Sequence, residues 1–169
     1  MTRQYNKRRL MIEPMLAKSF TGSQRVGGWH AQHKLDGVRG VLSPEGFFFR
    51  SGKPIFAPED WLRKNIPADM VLDGELVLRS HITDPKPNDF QKLVSVVRRK
   101  EPSEEMWSEI MFAVFDSSPL PFTGNTVDWQ WRRKQAELAP LGPNCVLLPS
   151  LATISLANPA KHVGTLFDA

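Results

Sequence analysis

A lysine and an arginine flank a short acidic turn in Lys34-Leu-Asp-Gly-Val-Arg39. Alternating residues at 29–33 predict that a strand ends just before the lysine. A lysine amine is a nucleophile only when neutral, and desolvation or a neighbouring cation lowers its pKa from about 10.4. Arg39 is such a cation, and its guanidinium also suits phosphate oxygens. The six residues therefore predict attack on a phosphate, with a surface hairpin and an incidental ion pair as the alternative.

Further segments accompany this lysine motif in a defined order. They are Pro14-Met-Leu-Ala17 before it, and Arg50-Ser-Gly-Lys-Pro54, Asp73-Gly-Glu-Leu76, the segment 90–100 and Phe112-Ala-Val-Phe-Asp116 after it. In order and spacing the chain resembles the covalent nucleotidyltransferases, most closely the minimal ATP-dependent DNA ligases of bacteria and phages. The resemblance extends over residues 14 to about 150. One difference is Phe49, which stands where many ligases have serine.

The resemblance implies a role for each candidate site residue. Lys34 would be the catalytic nucleophile that attacks the α-phosphate of ATP and forms the lysine-AMP intermediate used in sealing DNA nicks. Glu75 would hold the ribose hydroxyls, since a carboxylate offers two acceptor oxygens to two donors. Phe115 would stack on adenine. The remaining nucleotide-binding side chains would be Arg39 and Arg50 on ribose or phosphate, and Gln32 on the adenine amino group.

Each of these assignments has a structural alternative. An Asp-Gly-Glu sequence on a strand is often a bulge with solvated acids, which would give Glu75 no ligand. A phenylalanine in an apolar strand is usually part of the core, and this applies to Phe115. A glutamine on a strand, such as Gln32, is commonly just exposed.

Mg²⁺ is implied together with ATP, because charge on the triphosphate and on the leaving pyrophosphate must be offset during transfer. Glu75 and Asp36 are the carboxylates placed to approach it, but the sequence contains no dedicated metal site. Cys145 is the single cysteine, which excludes a multi-cysteine zinc site. None of the four histidines has metal-ligand spacing: His30, His33, His81 and His162.

Three consecutive bases, Arg98, Arg99 and Lys100, follow a predicted helix. They either contact DNA phosphates or complement the dipole at the helix end. A net charge of +4 permits a polyanionic partner. With the resemblance, the expected partner is nicked double-stranded DNA.

Elements that follow the aromatic strand in this family have no counterpart in the sequence. They are a Glu-Gly-x-x-x-Lys motif, a Lys-x-Lys strand and an OB-fold barrel. After residue 116 the lysines are Lys134 and Lys161 alone. The sequence therefore predicts a C-terminally truncated or split core, incomplete as a stand-alone ligase, with a second chain or domain supplying the missing motifs. The alternatives are a nucleotide- or DNA-binding relic without turnover, and an RNA ligase or capping-type nucleotidyltransferase.

The elements that must position these residues follow from local patterns. Strands are predicted at 38–42, 47–50, 70–78, 110–115 and 145–148, with the first two joined by a turn at Ser43-Pro-Glu-Gly46. Helices are predicted at 58–64, from Asn88 or Asp89 onward, and at 128–138. The middle helix would bury Phe90, Leu93, Val94 and Val97. The fold class is α+β, and the resemblance makes it an ATP-grasp-like covalent nucleotidyltransferase core with mainly antiparallel sheets and flanking helices.

Composition is that of a globular protein. The 169 residues include 41% hydrophobic and 24% charged side chains, which excludes a disordered or fibrous chain. The expected organisation is a basic arm at 1–13, a partial nucleotidyltransferase domain at 14–150 and a tail at 151–169, with the OB-fold domain absent. No apolar run is long enough to span a bilayer, so no membrane is expected, and the single cysteine fits a reducing, cytoplasmic location.

Overall fold

The computed structural model describes residues 14, 30–84, 86–120, 129–149 and 152–153. The predicted arm at 1–13, most of the Pro14-Met-Leu-Ala17 segment and most of the predicted tail at 151–169 lie outside these residues. The chain divides into two compact units. One contains Leu35–Leu147 together with Pro14, and the other consists of Met15–Lys34 and Leu148–Ala169.

A five-stranded sheet forms the first unit, with the strand order β3-β2-β4-β5-β6. Its strands are β2 (Val38–Ser43), β3 (Gly46–Phe49), β4 (Met70–Leu78), β5 (Ile110–Pro119) and β6 (Cys145–Leu147). All neighbours are antiparallel except β5 and β6, which run parallel. In the second unit, β1 (His30–Ala31) pairs antiparallel with β7 (Ala152–Thr153). The mainly antiparallel arrangement is the one the sequence predicts.

The β2–β3 hairpin turns at the predicted residues. Ser43 and Gly46 are register partners, and the Ser43 hydroxyl accepts a hydrogen bond from the Glu45 amide at 3.3 Å. Gly46 closes the turn with φ of 132°, a backbone conformation that side-chain-bearing residues rarely adopt. The hairpin places Arg50 directly after β3, in a second turn.

Five helices lie between the strands among the described residues. They are α1 (Glu59–Asn65), α2 (Arg79–Thr83), α3 (Asp89–Val97), α4 (Glu104–Trp107) and α5 (Trp129–Leu138). In α1, the acid Asp60 of the first turn pairs with Arg63 and with Lys64, whose Nζ lies 2.5 Å away. Helices α1, α3 and α5 correspond to the predicted ones. The short helices α2 and α4 were not predicted, because four or five residues carry no measurable periodicity.

The buried stripe of α3 differs from the predicted one. Phe90 is 37% exposed, whereas Val96 is buried along with Leu93 and Val97. The reason is Asp89, which turns inward at 3% exposure and accepts a hydrogen bond from the Lys86 amide at 2.9 Å. Positions 89, 93, 96 and 97 then share one helical face, and Phe90 is rotated away from it.

Aromatic rings dominate the main core on one face of the sheet. Phe47 stacks on Trp61 with centroids 5.6 Å apart, and Trp107 meets Trp61 edge-on at 5.1 Å. Phe112 of β5 contacts Phe47 edge-on at 5.1 Å and has no exposed surface. This core holds the sheet and α1 together, and the other sheet face carries polar side chains beside the smaller apolar cluster of Val41 and Val71.

Candidate functional site

The polar face of the sheet is set by strand alternation. Leu42 of β2 and Leu76 of β4 belong to the main core. Side chains alternate between the two faces along a strand, so Arg39 of β2 and Asp73 and Glu75 of β4 lie on the opposite face. Arg39 and Glu75 are direct register partners there. Two residues that the sequence predicts to contact a nucleotide are thus neighbours.

A β-bulge brings Phe115 to these residues. Asp73 pairs with Asp116 and Gly74 with Val114, so Phe115 is one extra residue on β5. An extra residue changes the alternation beyond it, which sets Asp116 opposite Asp73. The ring of Phe115 lies beneath the guanidinium of Arg39, with Cζ 4.4 Å from the ring centroid. The bulge therefore places the predicted aromatic residue on the same sheet face as the predicted Arg39 and Glu75.

Two acids and two arginines form a charge network on this face, namely Arg39, Asp73, Arg132 and Asp116. Arg39 donates from Nε and Nη2 to the two carboxylate oxygens of Asp73, at 2.6 and 2.7 Å. Arg132 of α5 donates from Nε to Asp116 Oδ1 at 3.0 Å and also contacts Oδ2 of that carboxylate. Its Nη2 lies 3.8 Å from Asp73 Oδ2. Charges of opposite sign alternate through the network, and the Arg39–Asp73 pair has the two-pronged geometry of a strong ion pair.

Burial controls protonation within the charge network. Neither acid has exposed surface. Burial raises the pKa of Asp73, against the opposing effect of Arg39 and Arg132. Burial likewise raises the pKa of Asp116 to about 6, with Asp73 adding to the increase and Arg132 opposing it. Asp116 is therefore a member of the network that gains a proton under mildly acidic conditions.

Asp73, Asp116 and Arg132 are the residues of this face to which sequence analysis gave no role. The alternative that Asp73-Gly-Glu75 is a bulge with solvated acids does not hold, because the extra residue, Phe115, lies on β5 and Asp73 has no exposed surface. The sequence does contain one signal for this network: Asp73 and Asp116 each stand within an apolar strand, and an acid buried there needs a cation as its partner. The position of Arg132 on α5 gave no indication that it is that cation.

The glycine of the lysine motif packs tightly against β4. A Cβ atom at Gly37 would lie 2.2 Å from the carbonyl oxygen of Leu76 and 2.7 Å from Cγ of Glu75. Gly74, beside the bulge, is similarly constrained, since its Cβ would lie 2.5 Å from the Ala113 carbonyl oxygen. Both glycines are required by close backbone approach, of Gly37 to β4 and of Gly74 to β5.

Lys34 and Gln32 belong to the second unit. Lys34 is exposed in the segment between β1 and β2. Gln32 donates its side-chain amide to the Leu148 carbonyl oxygen at 3.1 Å. Their predicted roles as nucleophile and adenine contact stay predictions.

The other predicted site residues follow β3 and α3 and lie outside the strands just described. Arg50 is exposed in a turn in which the Phe49 amide donates to the Lys53 carbonyl oxygen at 2.8 Å and Gly52 has φ of 77°. The three bases Arg98, Arg99 and Lys100 are exposed directly after α3. Exposure leaves these side chains accessible to an anionic ligand.

The described residues contain neither a group of metal ligands nor a membrane-spanning helix. Across 30–84, 86–120 and 129–149, no three His, Cys, Asp or Glu side chains group in a way that could hold a metal ion. Within the described part of the chain, no helix combines the length and apolar character that crossing a bilayer requires.

Comparison with known proteins identifies the fold. No protein-family model matches the chain, and no curated protein matches it. A solved structure described as "DNA binding with a minimal scaffold: Structure-function analysis of Lig E DNA ligases" matches with a TM-score of 0.62 at 22% identity. The match covers 90% of this chain and 56% of that one. A second, described as "Pmar-Lig_PreS3", has a TM-score of 0.49 at 21% identity, over 80% of this chain and 34% of that one.

The chain thus spans little more than half the length of the first of these structures. That match, together with the five-stranded sheet and flanking helices, shows a DNA ligase-like nucleotidyltransferase fold. The predicted fold class is confirmed.

Proposed function

We propose that this chain is the adenylation domain of an ATP-dependent DNA ligase, in which Lys34 attacks the α-phosphate of ATP. The observation that carries the proposal is the common sheet face of Arg39, Glu75 and Phe115 on a DNA ligase-like fold. A carboxylate beside an aromatic ring offers acceptors for ribose hydroxyls and a surface for a base.

The proposed reaction transfers AMP to the Lys34 amine. The lone pair of the neutral amine forms a P–N bond to the α-phosphorus, the bond to the bridging oxygen breaks, and pyrophosphate leaves with those electrons. The amine proton passes to solvent. Mg²⁺ bound to the triphosphate would offset the charge that develops on the leaving group. Among this chain's residues, Glu75 is the carboxylate suited to the ribose and Arg50 the exposed cation suited to phosphate.

In this proposal the activated AMP serves to seal nicked double-stranded DNA. The exposed bases Arg98, Arg99 and Lys100 would neutralise backbone phosphates. The Glu-Gly and Lys-x-Lys motifs that the sequence lacks would come from a second chain or domain. The nucleotidyltransferase region would correspond to residues 14–150.

Covalent labelling tests the proposal. The chain is incubated with α-³²P-ATP and Mg²⁺ and separated by denaturing electrophoresis. The wild type should carry a label that acid removes and mild alkali does not, as expected for a phosphoramidate. Lys34→Ala and Lys34→Arg should carry none, because alanine lacks the amine and an arginine stays protonated. Lys64→Ala, which removes another exposed lysine, should label like the wild type.

Fold integrity makes each result decisive. Lys34 is exposed, so both Lys34 variants should keep the free energy of unfolding within about 0.5 kcal/mol of the wild type. Label on a folded Lys34 variant would refute the assignment of the nucleophile. A folded wild type that never labels would refute the proposed enzyme and favour the binding relic.

A further inference from the structure

We propose that Arg132 of α5 is a positioning residue for Phe115, the side chain that would carry adenine. It acts by fixing the β-bulge between β4 and β5 at which Phe115 lies. The inference rests on the proposed function. It gives a role to a buried arginine that neither the sequence motifs nor the proposed reaction uses.

The first argument is the register that the strands would adopt without the bulge. Pairing that continued past Gly74 would set Phe115 opposite Asp73. The next pair would be Asp116 and Leu72, and Leu72 belongs to the main core. An acid there would face apolar side chains, since register partners lie on the same face of a sheet. The bulge instead turns Asp116 to the polar face and leaves Phe115 without a register partner on β4.

The second argument is the cation that meets Asp116 on the polar face. Asp73 and Asp116 are register partners without exposed surface, and two such carboxylates repel each other. Arg132 Nε donates to Asp116 Oδ1 at 3.0 Å, and its Nη2 contacts Oδ2 of the same carboxylate. That Nη2 also lies 3.8 Å from Asp73 Oδ2. One guanidinium thus offsets the repulsion at the pair where the bulge ends, so the bulged register is stabilised from α5.

The third argument is that Arg132 is suited to position a side chain and not to bind a nucleotide. Its side chain is only 4% exposed. Both oxygens of Asp73 already accept hydrogen bonds from Arg39, at 2.6 and 2.7 Å, so Asp116 is the acid of the charge network that depends on Arg132. Any effect of Arg132 on a nucleotide must therefore pass through Asp116 to Phe115, its neighbour in the chain.

The affinity for ATP measures whether the ring is in position. Dissociation constants are obtained by calorimetry without Mg²⁺, so that no covalent product forms, at a temperature where urea denaturation shows each variant to be folded. Arg132→Met should weaken ATP binding about tenfold, which lies within the effect of removing one aromatic ring from a stacked base. Arg133→Met is the matched control. This arginine of α5 is also buried, but its Nε lies 3.3 Å from Glu137 of the same helix, so ATP binding should match the wild type.

A double variant separates positioning from a purely structural role. Arg132→Met alone leaves the buried Asp116 without its cation, so it also destabilises the fold. Arg132→Met/Asp116→Leu replaces the ion pair by apolar side chains and should recover most of the lost stability. It should not recover ATP binding, because a leucine at this position is compatible with the main core and no longer requires the bulge. Recovery of ATP binding together with stability would show that Arg132 is structural only, and the inference would be wrong.

Double-mutant cycles identify the side chain through which Arg132 acts. Once Phe115→Leu has removed the ring, adding Arg132→Met should weaken ATP binding less than about twofold further. With Glu75→Ala, which removes the proposed ribose acceptor, the two losses should multiply.

Three outcomes would overturn the inference and leave the proposed function intact. They are unchanged ATP binding by folded Arg132→Met, an equal loss in Arg133→Met, and losses that multiply with Phe115→Leu. A folded wild type that does not bind ATP would overturn the proposed function, and the inference with it.

Discussion

Replacing Gly37 by alanine should destabilise the fold and displace Glu75. The new Cβ would lie 2.2 Å from the Leu76 carbonyl oxygen, whereas real Cβ contacts essentially never fall under 3.0 Å. Either β4 or the backbone at Gly37, directly before β2, must therefore move by at least about 0.8 Å, the difference between these distances. The obstacle is backbone, so no change of rotamer removes it.

The magnitude follows from the packing that this movement disturbs. Leu76 and Val77 have no exposed surface, and each contributes about 1.5–3 kcal/mol through burial. A gap of 0.5–1 Å removes roughly a quarter to a half of such contact energy. The two residues together lose about 1–3 kcal/mol, and the reduced freedom of the unfolded chain returns about 0.4–1 kcal/mol. With mid-range values, a loss of about 2 kcal/mol and a return of about 0.7 kcal/mol, the expected net loss is about 1.3 kcal/mol.

Urea denaturation followed by fluorescence of the buried Trp61 and Trp107 measures this loss. Gly40→Ala is the matched control, because its Cβ would meet a side chain, Phe47 Cε2, at 2.5 Å. Phe47→Leu should therefore relieve Gly40→Ala, with a favourable coupling energy above about 0.5 kcal/mol. Val77→Ala should not relieve Gly37→Ala, since the carbonyl oxygen stays in place.

The reasoning would be refuted if Gly37→Ala were as stable as the wild type, or if Val77→Ala restored its stability. A second readout concerns the proposed chemistry. Cγ of Glu75 would lie 2.7 Å from the new Cβ, so covalent labelling with AMP should fall even at temperatures where the variant is fully folded.

Three further predictions concern protons, thiol reactivity and DNA. The free energy of unfolding should fall by up to about 3 kcal/mol as pH rises from about 4 to 6, because burial raises the pKa of Asp116 to about 6 and the unfolded carboxyl has already lost its proton. In denaturant titrations Asp116→Asn should flatten this profile, and Asp84→Asn, at an exposed acid, should not. Burial raises the pKa of the Cys145 thiol to about 12. A thiol reagent at pH 8 should therefore label the native chain about a hundredfold or more slowly than the unfolded chain. Equal labelling rates would contradict the burial of Cys145. Replacing all three bases at 98–100 by alanine should weaken binding to nicked duplex DNA. The dependence of the logarithm of the binding constant on the logarithm of the salt concentration should become shallower by about 0.9 for each phosphate that is no longer neutralised. Fluorescence anisotropy at two salt concentrations measures this slope, and an unchanged slope would show that these bases do not contact the DNA.

Local sequence was sufficient wherever a pattern repeats within one element. Strand β4, with nine residues, was predicted at its observed bounds, and the β2–β3 hairpin turns at the predicted proline and glycine. Helix α1 starts one residue after the predicted position, with its acids first and its bases last. Period-two alternation, turn residues and dipole complementarity are local effects, so they are visible without a structure.

Local patterns failed where charge and apolar character conflict. The hydrophobic pattern of α3 predicted that Phe90 faces inward, because nothing in the sequence indicates that a charged residue such as Asp89 is buried. The hydrogen bond from the Lys86 amide supplies that reason, and it is visible only once the preceding turn is folded.

The sequence by itself determined the types and order of the candidate site residues, and through them the resemblance that the fold confirms. The functional roles of all the candidate site residues stay predictions. Only the tertiary structure decided that Phe115 is a bulge residue, that Arg39 binds Asp73, and that Arg132 approaches both acids of the charge network. Strand register depends on which residues face each other across the sheet, and a one-residue shift changes the face of every side chain beyond it. The partner of a buried charge, here 34 residues distant for Arg39 and Asp73, is likewise set by that register and not by neighbours in the chain.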